Sequence, residues 1–245
     1  MTFWGKMKPK VLVYIPCYNY AEFIRECLDS VISQTYSNQE IIIGFNGTTD
    51  GGDEIVTKEY PMVKTLHYPF QKVNPGIDMV LKDGDYEVYT QLCADDKMEP
   101  MFWEQTLPLF EEDVGVVRVG YYQFSDKVPE GSYWKPSPFN LPEEILEANK
   151  IFFSSPIRKA VWESVGGYDP EKEILGDWDF WIKAIMQQGW KWRTLDKPMI
   201  WYRRHSKAQS YAFDQGEHYR PMSKRWVDLA KEYGLVNSLL YKWEE

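Results

Sequence analysis

Residues 11–34 read VLVYIPCYNYAEFIRECLDSVISQ, and this stretch sets the pattern that the N-terminal half of the chain repeats. The run at residues 11–15 is entirely apolar, which is typical of a central parallel strand buried on both faces. A turn is expected at residues 16–20. Between Phe23 and Ile32, apolar side chains then recur at helical spacing, with charges on the opposite side. The stretch therefore predicts a β-turn-α unit.

The alternation of strand and helix continues along the N-terminal half. Further strands are predicted at residues 40–45, 63–68 and 86–93, and a short helix at residues 74–81. The segment NGTTDGG after the second strand contains glycines, which permit unusual backbone angles. Strands that alternate with helices at this spacing form mainly parallel sheets with right-handed crossovers. We therefore predict an α/β fold with a mostly parallel central sheet flanked by helices.

The C-terminal half is predicted to combine helices, strands and one long loop. Helices are expected at residues 100–110, 159–165 and 176–188, strands at 114–121, 192–195 and 199–203, strand or extended chain at 151–158, and a long loop at 125–142. No linker or repeat divides the chain, so residues 1–215 are interpreted as one domain. An amphipathic helix within residues 216–245 is expected to dock on that domain.

The composition indicates a folded globular protein and argues against a nucleic-acid partner. Of the 245 residues, 44% are hydrophobic and 16% aromatic, and the formal net charge is -9. This charge would repel the phosphates of a nucleic acid, and a nucleotide ligand would need its phosphates neutralised locally. The 11 tryptophans suit either a dense core or a platform on which sugar rings stack.

Cysteine usage and the chain start predict a cellular location. The three cysteines, Cys17, Cys27 and Cys93, lack metal-ligand spacing, which indicates a reducing compartment rather than a disulfide framework. The opening MTFWGKMKPK contains no apolar core long enough for a signal peptide, and no apolar run approaches the roughly 20 residues of a membrane span. The expectation is a cytoplasmic protein without a transmembrane segment, peripheral to a membrane at most.

Two adjacent carboxylates, Asp95 and Asp96, follow the fourth predicted strand in the stretch QLCADDKMEP. In an open α/β sheet, ligands bind at the carboxyl edge, where loops frame a crevice. Neighbouring carboxylates repel each other unless water, a cation or donor groups compensate them. A hard divalent cation that carries a phosphorylated ligand would do so. The alternative is an exposed turn whose aspartates cap the next helix.

Several segments together resemble the inverting family 2 glycosyltransferases of the GT-A fold, which join a nucleotide-sugar to an acceptor hydroxyl. Residues 11–43 are similar to the opening strand, turn and first helix of that family, and CADDKMEP is similar to its acidic metal motif. VGGYDPEKEILGDWDFWIKAIMQQG is similar to the segment with the catalytic base, and WYRRHSKAQS to the closing strand and loop. The resemblance covers residues 11–210.

This resemblance implies a nucleotide-sugar donor, with a UDP-sugar as the first expectation, and a glycan, glycolipid or polysaccharide acceptor. It implies that Asp96 coordinates Mn²⁺ or Mg²⁺ and that Asp95 shares the metal or contacts the ribose. His205 is a third metal ligand or a diphosphate contact in this interpretation, and a surface-loop histidine in the alternative. The donor-nucleotide site that the resemblance implies consists of Pro16, Tyr18, Asn46, Lys72 and Asp95.

Inversion requires a general base on the face opposite the leaving group, within hydrogen-bond reach of the acceptor hydroxyl. The resemblance assigns this role to Asp177, with Asp179 in reserve. Both residues also suit the start of a helix, where Asp177 would be a good N-cap and Asp179 would favour the dipole of the first turn.

Three sites, with four residues between them, depart from the pattern of the family. Cys93 stands where the first acid of the metal motif is common, Gly176 where a Glu precedes the base, and Phe45 with Asn46 where an Asp pair is common. The change at Phe45 keeps dTDP-sugars and GDP-sugars open as donors. A degenerate member that binds nucleotide-sugar or glycan without turnover is therefore the alternative function. Sugar-nucleotide pyrophosphorylases use a similar α/β sheet but have a glycine-rich phosphate loop after the first strand. Residues 16–20 contain no glycine, which disfavours this class.

Overall fold

The computed structural model describes residues 8–69, 74–125, 128–170, 176–208 and 231. Its N-terminal half alternates strand and helix as predicted. In chain order the elements are β1 (Val11–Cys17), α1 (Ile24–Ile32), β2 (Gln39–Asn46), α2 (Gly52–Glu59), β3 (Lys64–Tyr68), α3 (Asn74–Asp83), β4 (Val88–Gln91) and β5 (Lys97–Met98).

The C-terminal half contains longer strands than predicted. Its elements are α4 (Phe102–Thr106) with a 3₁₀ turn at Leu107–Leu109, β6 (Val114–Ser125), β7 (Val128–Trp134), a 3₁₀ turn at Pro142–Leu146, β8 (Ile157–Arg158), α5 (Lys159–Val165), α6 (Gly176–Ile182) with a π-helical turn at Lys183–Gln187, and β9 (Lys191–Arg203). The two strands predicted at residues 192–195 and 199–203 are therefore one strand. Of residues 151–158, only the last two are strand.

The long loop predicted at residues 125–142 is wrong in part. Residues 128–134 form β7, which pairs antiparallel with β6. The proline and glycine of this segment indicated a loop in the sequence. An edge strand tolerates both residue types, however, because one of its sides has no ladder to complete.

One sheet runs through the described residues in the order β3-β2-β1-β4-β8-β6-β9-β5, with β7 paired to β6. Strands β1 to β4 pair in parallel, and Val13 of β1 lies opposite Ile41 of β2 and Thr90 of β4. Strand β8 runs antiparallel to β4 and β6, whereas β6 and β9 are parallel. The parallel sheet is thus confirmed for β1 to β4, and the sheet becomes mixed beyond β4.

The turn expected at residues 16–20 begins later than predicted, because β1 continues through Pro16 to Cys17. A proline in a central strand normally removes a ladder hydrogen bond. Here the ladder with β4 ends at Tyr14 and Gln91, and the Tyr14 carbonyl accepts the N–H of Leu92. The backbone groups of residues two apart in a strand point toward the same neighbouring strand. The nitrogen of Pro16 therefore points toward β4, like the backbone of Tyr14, but beyond the last paired residues. Its missing N–H therefore costs no strand pairing.

The sheet buries apolar side chains on both faces. One layer includes Tyr89 of β4 with Trp178 and Trp181 of α6, and the other includes Ile24 of α1 and Trp103 of α4. Trp178 and Trp181 are 6% and 1% exposed. These two tryptophans therefore belong to the core rather than to a sugar platform.

Two predictions fall outside the described residues. They are the helix expected within residues 216–245, of which only residue 231 is described, and the nucleotide contact expected of Lys72. Within the ranges that the structure describes, no helix is both long enough and apolar enough to cross a membrane.

Candidate active site

The loops after β1 and β2 are bonded to each other at the carboxyl edge of the sheet. Asn19 has a positive φ of 56°, and its Oδ1 accepts the backbone N–H of Thr49 at 2.8 Å. Asp50 Oδ2 in turn accepts the backbone N–H of Ala21 at 2.8 Å. Asparagine adopts the left-handed backbone region more readily than most residues. The two loops, called the joined loops below, are therefore hydrogen-bonded to each other at the edge of the sheet where the acid pair was predicted.

Three of the predicted nucleotide contacts lie at the ends of adjacent strands. Pro16 is buried within β1, and Tyr18, just beyond the strand, is 39% exposed. Asn46 ends β2 and is 1% exposed. Phe45 is buried beside it, with its ring 5.3 Å from the ring of His67. The structure thus brings Tyr18 and Asn46 to one edge, and the roles assigned to them stay predictions.

The turn after β4 brings Cys93, Asp95 and Asp96 together. One ligand atom from each residue, the Cys93 Sγ and two carboxylate oxygens, lies within 4.8 Å of the others. The Asp96 N–H donates to the Cys93 carbonyl at 2.9 Å and closes the turn. Asp95 and Asp96 are 6% and 1% exposed. The alternative of an exposed turn is therefore wrong for this pair.

His205 reaches the acid pair from beyond the end of β9. Its Nε2 lies 2.8 Å from Asp95 Oδ2, and its ring centroid lies 4.8 Å from that of Phe23. Its Nδ1 has no hydrogen-bond partner within the part of the chain that the structure describes. Because its side chain is only 15% exposed, His205 is not a surface-loop histidine. Direct coordination of a metal by His205 stays a prediction.

Burial disfavours the charged form of Asp96 in the acid pair. Desolvation raises the pKa of Asp96 well above its ordinary value, and the Asp95 carboxylate raises it further. The backbone N–H and the positive charge of Arg203 act in the opposite direction. Burial also raises the pKa of the Cys93 thiol, with the two carboxylates as further causes. A bound cation would offset these charges, because it favours the ionised form of each group.

Asp177 lies in the first turn of α6. Asn149 Nδ2 donates to Asp177 Oδ2 at 2.8 Å. Burial raises the pKa of Asp177, whereas the Asn149 amide and the backbone N–H of Trp178 lower it. The Asp177 carboxylate is in turn one of the charges that raise the pKa of the Cys93 thiol.

Asp179, the reserve candidate for the base, is placed differently. It is 5% exposed, and its Oδ2 lies 2.7 Å from the Nζ of Lys183, one helical turn further on. This ion pair connects α6 to the π-helical turn that follows. Asp177 is thus bonded to a neutral amide from another part of the chain, whereas Asp179 is paired with a cation of its own helix.

The sequence did not single out two residues that contact these groups. Asn149, in the loop before β8, bonds to Asp177, and Arg203, at the end of β9, bonds to both Asp95 and Asp96. Spacing along the chain could not reveal either contact. The only sequence signal was that Arg203 lies two residues before His205 in WYRRHS.

The donor set of Cys93, Asp95 and Asp96 fits a divalent cation. The two carboxylates supply the hard oxygen ligands that Mg²⁺ and Mn²⁺ prefer. Burial penalises the ionised form of Asp96, and a bound cation would compensate that charge. The Cys93 thiol is a softer donor than a carboxylate, so the two aspartates are the better ligands for either cation. The residues therefore suit the predicted metal, and its identity stays a prediction.

Comparison with known proteins identifies the family. Residues 12–164 match the family model described as Glycosyl transferase family 2. Chondroitin synthase from Pasteurella multocida is 30% identical over 198 residues, which cover 77% of this chain and 20% of that protein. The chain thus spans about a fifth of the length of this relative.

Solved structures share the fold at low identity. S. aureus TarS 1-349 in complex with UDP-GlcNAc gives a TM-score of 0.69 at 16% identity, covering 91% of this chain and 65% of that one. Mannosyltransferase PcManGT from Pyrobaculum calidifontis, in complex with GDP-Man and Mn²⁺, gives a TM-score of 0.60 at 17% identity, covering 86% and 61%. These similarities confirm the predicted GT-A type of fold. Because the family model matches more than half of the sequence, this chain belongs to glycosyl transferase family 2.

Proposed function

We propose that this chain is a metal-dependent, inverting glycosyltransferase that moves a sugar from a nucleoside-diphosphate-sugar to an acceptor hydroxyl. The first expectation for the donor is a UDP-sugar, and the acceptor belongs to a glycan, glycolipid or polysaccharide. Membership of family 2 supports the reaction class. The complexes of TarS with UDP-GlcNAc and of PcManGT with GDP-Man support a nucleotide-sugar donor.

The observation that carries this proposal is the buried cluster of Cys93, Asp95 and Asp96. The two carboxylates have ligand atoms within 4.8 Å of one another and of the thiol. A third carboxylate, that of Asp177, comes from a different element, α6. The chain therefore offers ligands for a cation and, separately, a carboxylate that can act as a base. Displacement at an anomeric carbon by a hydroxyl uses both.

The residues at the donor side would hold the nucleotide between the joined loops and the acid pair. Tyr18, which is 39% exposed, offers an aromatic face to a nucleobase. The Asn46 amide at the neighbouring strand end is suited to hydrogen bonding with that base. Asp95 and Asp96, with Cys93, would hold the divalent cation, which supplies positive charge to the departing diphosphate.

At the acceptor side, Asp177 would take the proton of the attacking hydroxyl. Burial raises its pKa, which makes its carboxylate a stronger base once it is ionised. The hydrogen bond from Asn149 to Oδ2, at 2.8 Å, orients the carboxylate and favours its charged form. The ion pair of Asp179 with Lys183 makes that residue the weaker candidate.

A degenerate family member that binds its ligand without turnover is the second candidate function. The observation that favours it is Cys93, where the resemblance expects an acid. Burial raises the pKa of its thiol, so this position contributes no negative charge of its own in the absence of a metal. A cation would then be held by one charge fewer than in a site with three acids.

A panel of UDP-, GDP- and dTDP-sugars with Mn²⁺ separates the two candidates. Thermal shift reports binding, and release of the nucleoside diphosphate reports turnover. The proposed function predicts that at least one donor raises the melting temperature only with Mn²⁺ and releases its diphosphate. Binding without release by every donor, with simple glycans present, would favour the degenerate member. No Mn²⁺-dependent binding by any donor would contradict the proposed function.

A further inference from the structure

Arg203 connects the acid pair to α1 through three hydrogen bonds. Its Nε donates to the Asp95 carbonyl at 2.8 Å, and its backbone N–H donates to Asp96 Oδ1 at 2.8 Å. Its Nη2 donates to Glu26 Oε2 at 3.0 Å. One residue of β9 is therefore bonded to both aspartates of the turn after β4 and to a helix on the same side.

Two aromatic rings hold the guanidinium of Arg203. Its Cζ lies 4.6 Å from the ring centroid of Phe23 and 4.3 Å from that of Phe124. The residue is 8% exposed. A planar cation packed against two rings has little freedom to reorient, and the contacts are themselves attractive. These contacts therefore fix the direction of the Nε–H bond without the help of a bound cation.

The chemistry around Arg203 suits an arginine better than a lysine. The guanidinium presents donors in a fixed fork, so that it reaches the Asp95 carbonyl and the Glu26 carboxylate together. A lysine ammonium is a single point of charge and cannot reproduce both bonds with this geometry. The positive charge of Arg203 also lies beside the buried carboxylate of Asp96, where it offsets part of the negative charge.

We propose that Arg203 is a positioning residue for the cation site. Its side chain holds the backbone of the turn at the Asp95 carbonyl, and its backbone N–H holds the Asp96 carboxylate, so that the turn and its carboxylates are oriented before a cation binds. The inference rests on the proposed function, because it takes these carboxylates to be the cation ligands. Groups that orient metal ligands typically change metal affinity by roughly 10- to 100-fold when they are removed.

Arg158 provides a matched comparison for the competing explanation, which is that Arg203 only stabilises the fold. Arg158 is 7% exposed and donates to the carbonyls of Val114 and Glu111 at 2.8 and 2.7 Å. Its Cζ lies 5.4 Å from the ring centroid of Phe110. Both arginines are buried, bonded to backbone carbonyls and packed against phenylalanine. Arg158, however, donates to carbonyls of β6 and of the turn before it, whereas Arg203 donates to the turn that carries the acid pair.

The test is a direct titration of Mn²⁺, followed by the electron paramagnetic resonance signal of the free ion. Wild type, Arg203→Lys and Arg158→Lys are compared with Mn²⁺ alone and with UDP or GDP present. We expect Arg203→Lys to bind Mn²⁺ roughly 10- to 100-fold more weakly than wild type. Arg158→Lys should bind like wild type, although both substitutions lower the melting temperature. Wild-type affinity in folded Arg203→Lys would overturn the inference.

Glu26→Ala keeps the test decisive if Arg203→Lys does not fold. The Glu26 side chain is 54% exposed, so its substitution leaves the core intact. It removes both the charge and the acceptor that hold one end of the guanidinium, and we expect a weaker but measurable loss of Mn²⁺ affinity. Unchanged affinity in Glu26→Ala would then overturn the inference. If wild type itself does not bind Mn²⁺ with either nucleotide, the proposed function fails, and the positioning role fails with it.

Discussion

The acid pair after β4 and the aspartate at the start of α6 are held in different ways. The turn with Asp95 and Asp96 is bonded by the backbone and side chain of Arg203 and by His205, each at 2.8 Å. Asp177 is bonded from outside α6 by the neutral amide of Asn149, at 2.8 Å. We refer to the first region as the cation end and to the second as the base end.

This difference corresponds to what each end would do. Two buried carboxylates repel each other, so the cation end needs positive groups and strand-anchored contacts to keep both in place. A general base must instead gain and lose a proton near the working pH. A neutral amide supports the charged form of Asp177 without abolishing its titration. The acid pair is thus bonded to cationic and backbone groups, whereas Asp177 is bonded to a neutral amide.

Removing one charge from the cation end should have the largest effect. Asp96→Asn keeps an oxygen that can accept the backbone N–H of Arg203 and removes the negative charge. We expect Mn²⁺-dependent nucleotide binding and sugar transfer to fall below detection. Binding titrations with Mn²⁺ check this result, and wild-type Mn²⁺ affinity in the variant would contradict the assignment of the cation end.

The same variant should be more stable than wild type when no metal is present. Burial and the Asp95 charge raise the pKa of Asp96, so the folded chain loses stability as the pH rises through that pKa. Asn has no such dependence. The melting temperature of Asp96→Asn should therefore exceed that of wild type near neutral pH, and the difference should shrink in acid. Equal melting temperatures at all pH values would show that the buried charge of Asp96 does not destabilise the folded chain.

Substitution at the base end should affect transfer alone. Asp177→Asn is expected to reduce transfer by roughly 10²- to 10⁴-fold, because it removes general base catalysis. Affinities for Mn²⁺ and for the donor should stay at the wild-type level. Isothermal titration with donor and diphosphate-release kinetics separate the two effects.

Asp179→Asn is the matched control for Asp177→Asn. It removes the same charge two residues further along α6 and breaks the ion pair with Lys183. We expect lower stability but retained transfer. If Asp179→Asn loses transfer and Asp177→Asn keeps it, the reserve assignment is the correct one.

The smallest expected effect is a change in pH dependence. The amide of Asn149 lowers the pKa of Asp177, so Asn149→Ala should raise that pKa further. The acidic limb of kcat/KM should therefore move to higher pH, and transfer well above the limb should approach the wild-type rate. A pH–rate profile of both proteins measures the shift. An unmoved limb would mean that a group other than Asp177 controls it.

Much of the fold could be predicted because its causes are local. The apolar runs of β1 and β2 and the helical spacing in α1 predicted these elements near their observed bounds. The errors involve context instead. The proline of β1 is tolerated because the β4 ladder has already ended, and β7 exists because an edge strand accepts residues that a central strand rejects. Neither condition can be read from neighbouring residues.

The spacing of residues along the chain was enough to predict that helices alternate with β1 to β4 and that Asp95 and Asp96 follow a strand. The groups that surround the acids could be found only from the folded chain. Arg203 and His205 lie 107 and 110 residues from the aspartates whose side chains they contact, and Asn149 lies 28 residues from Asp177. The pKa of Asp96 likewise depends on contacts that form only in the folded chain. Adjacency predicts repulsion, but only packing excludes the water that would otherwise screen it.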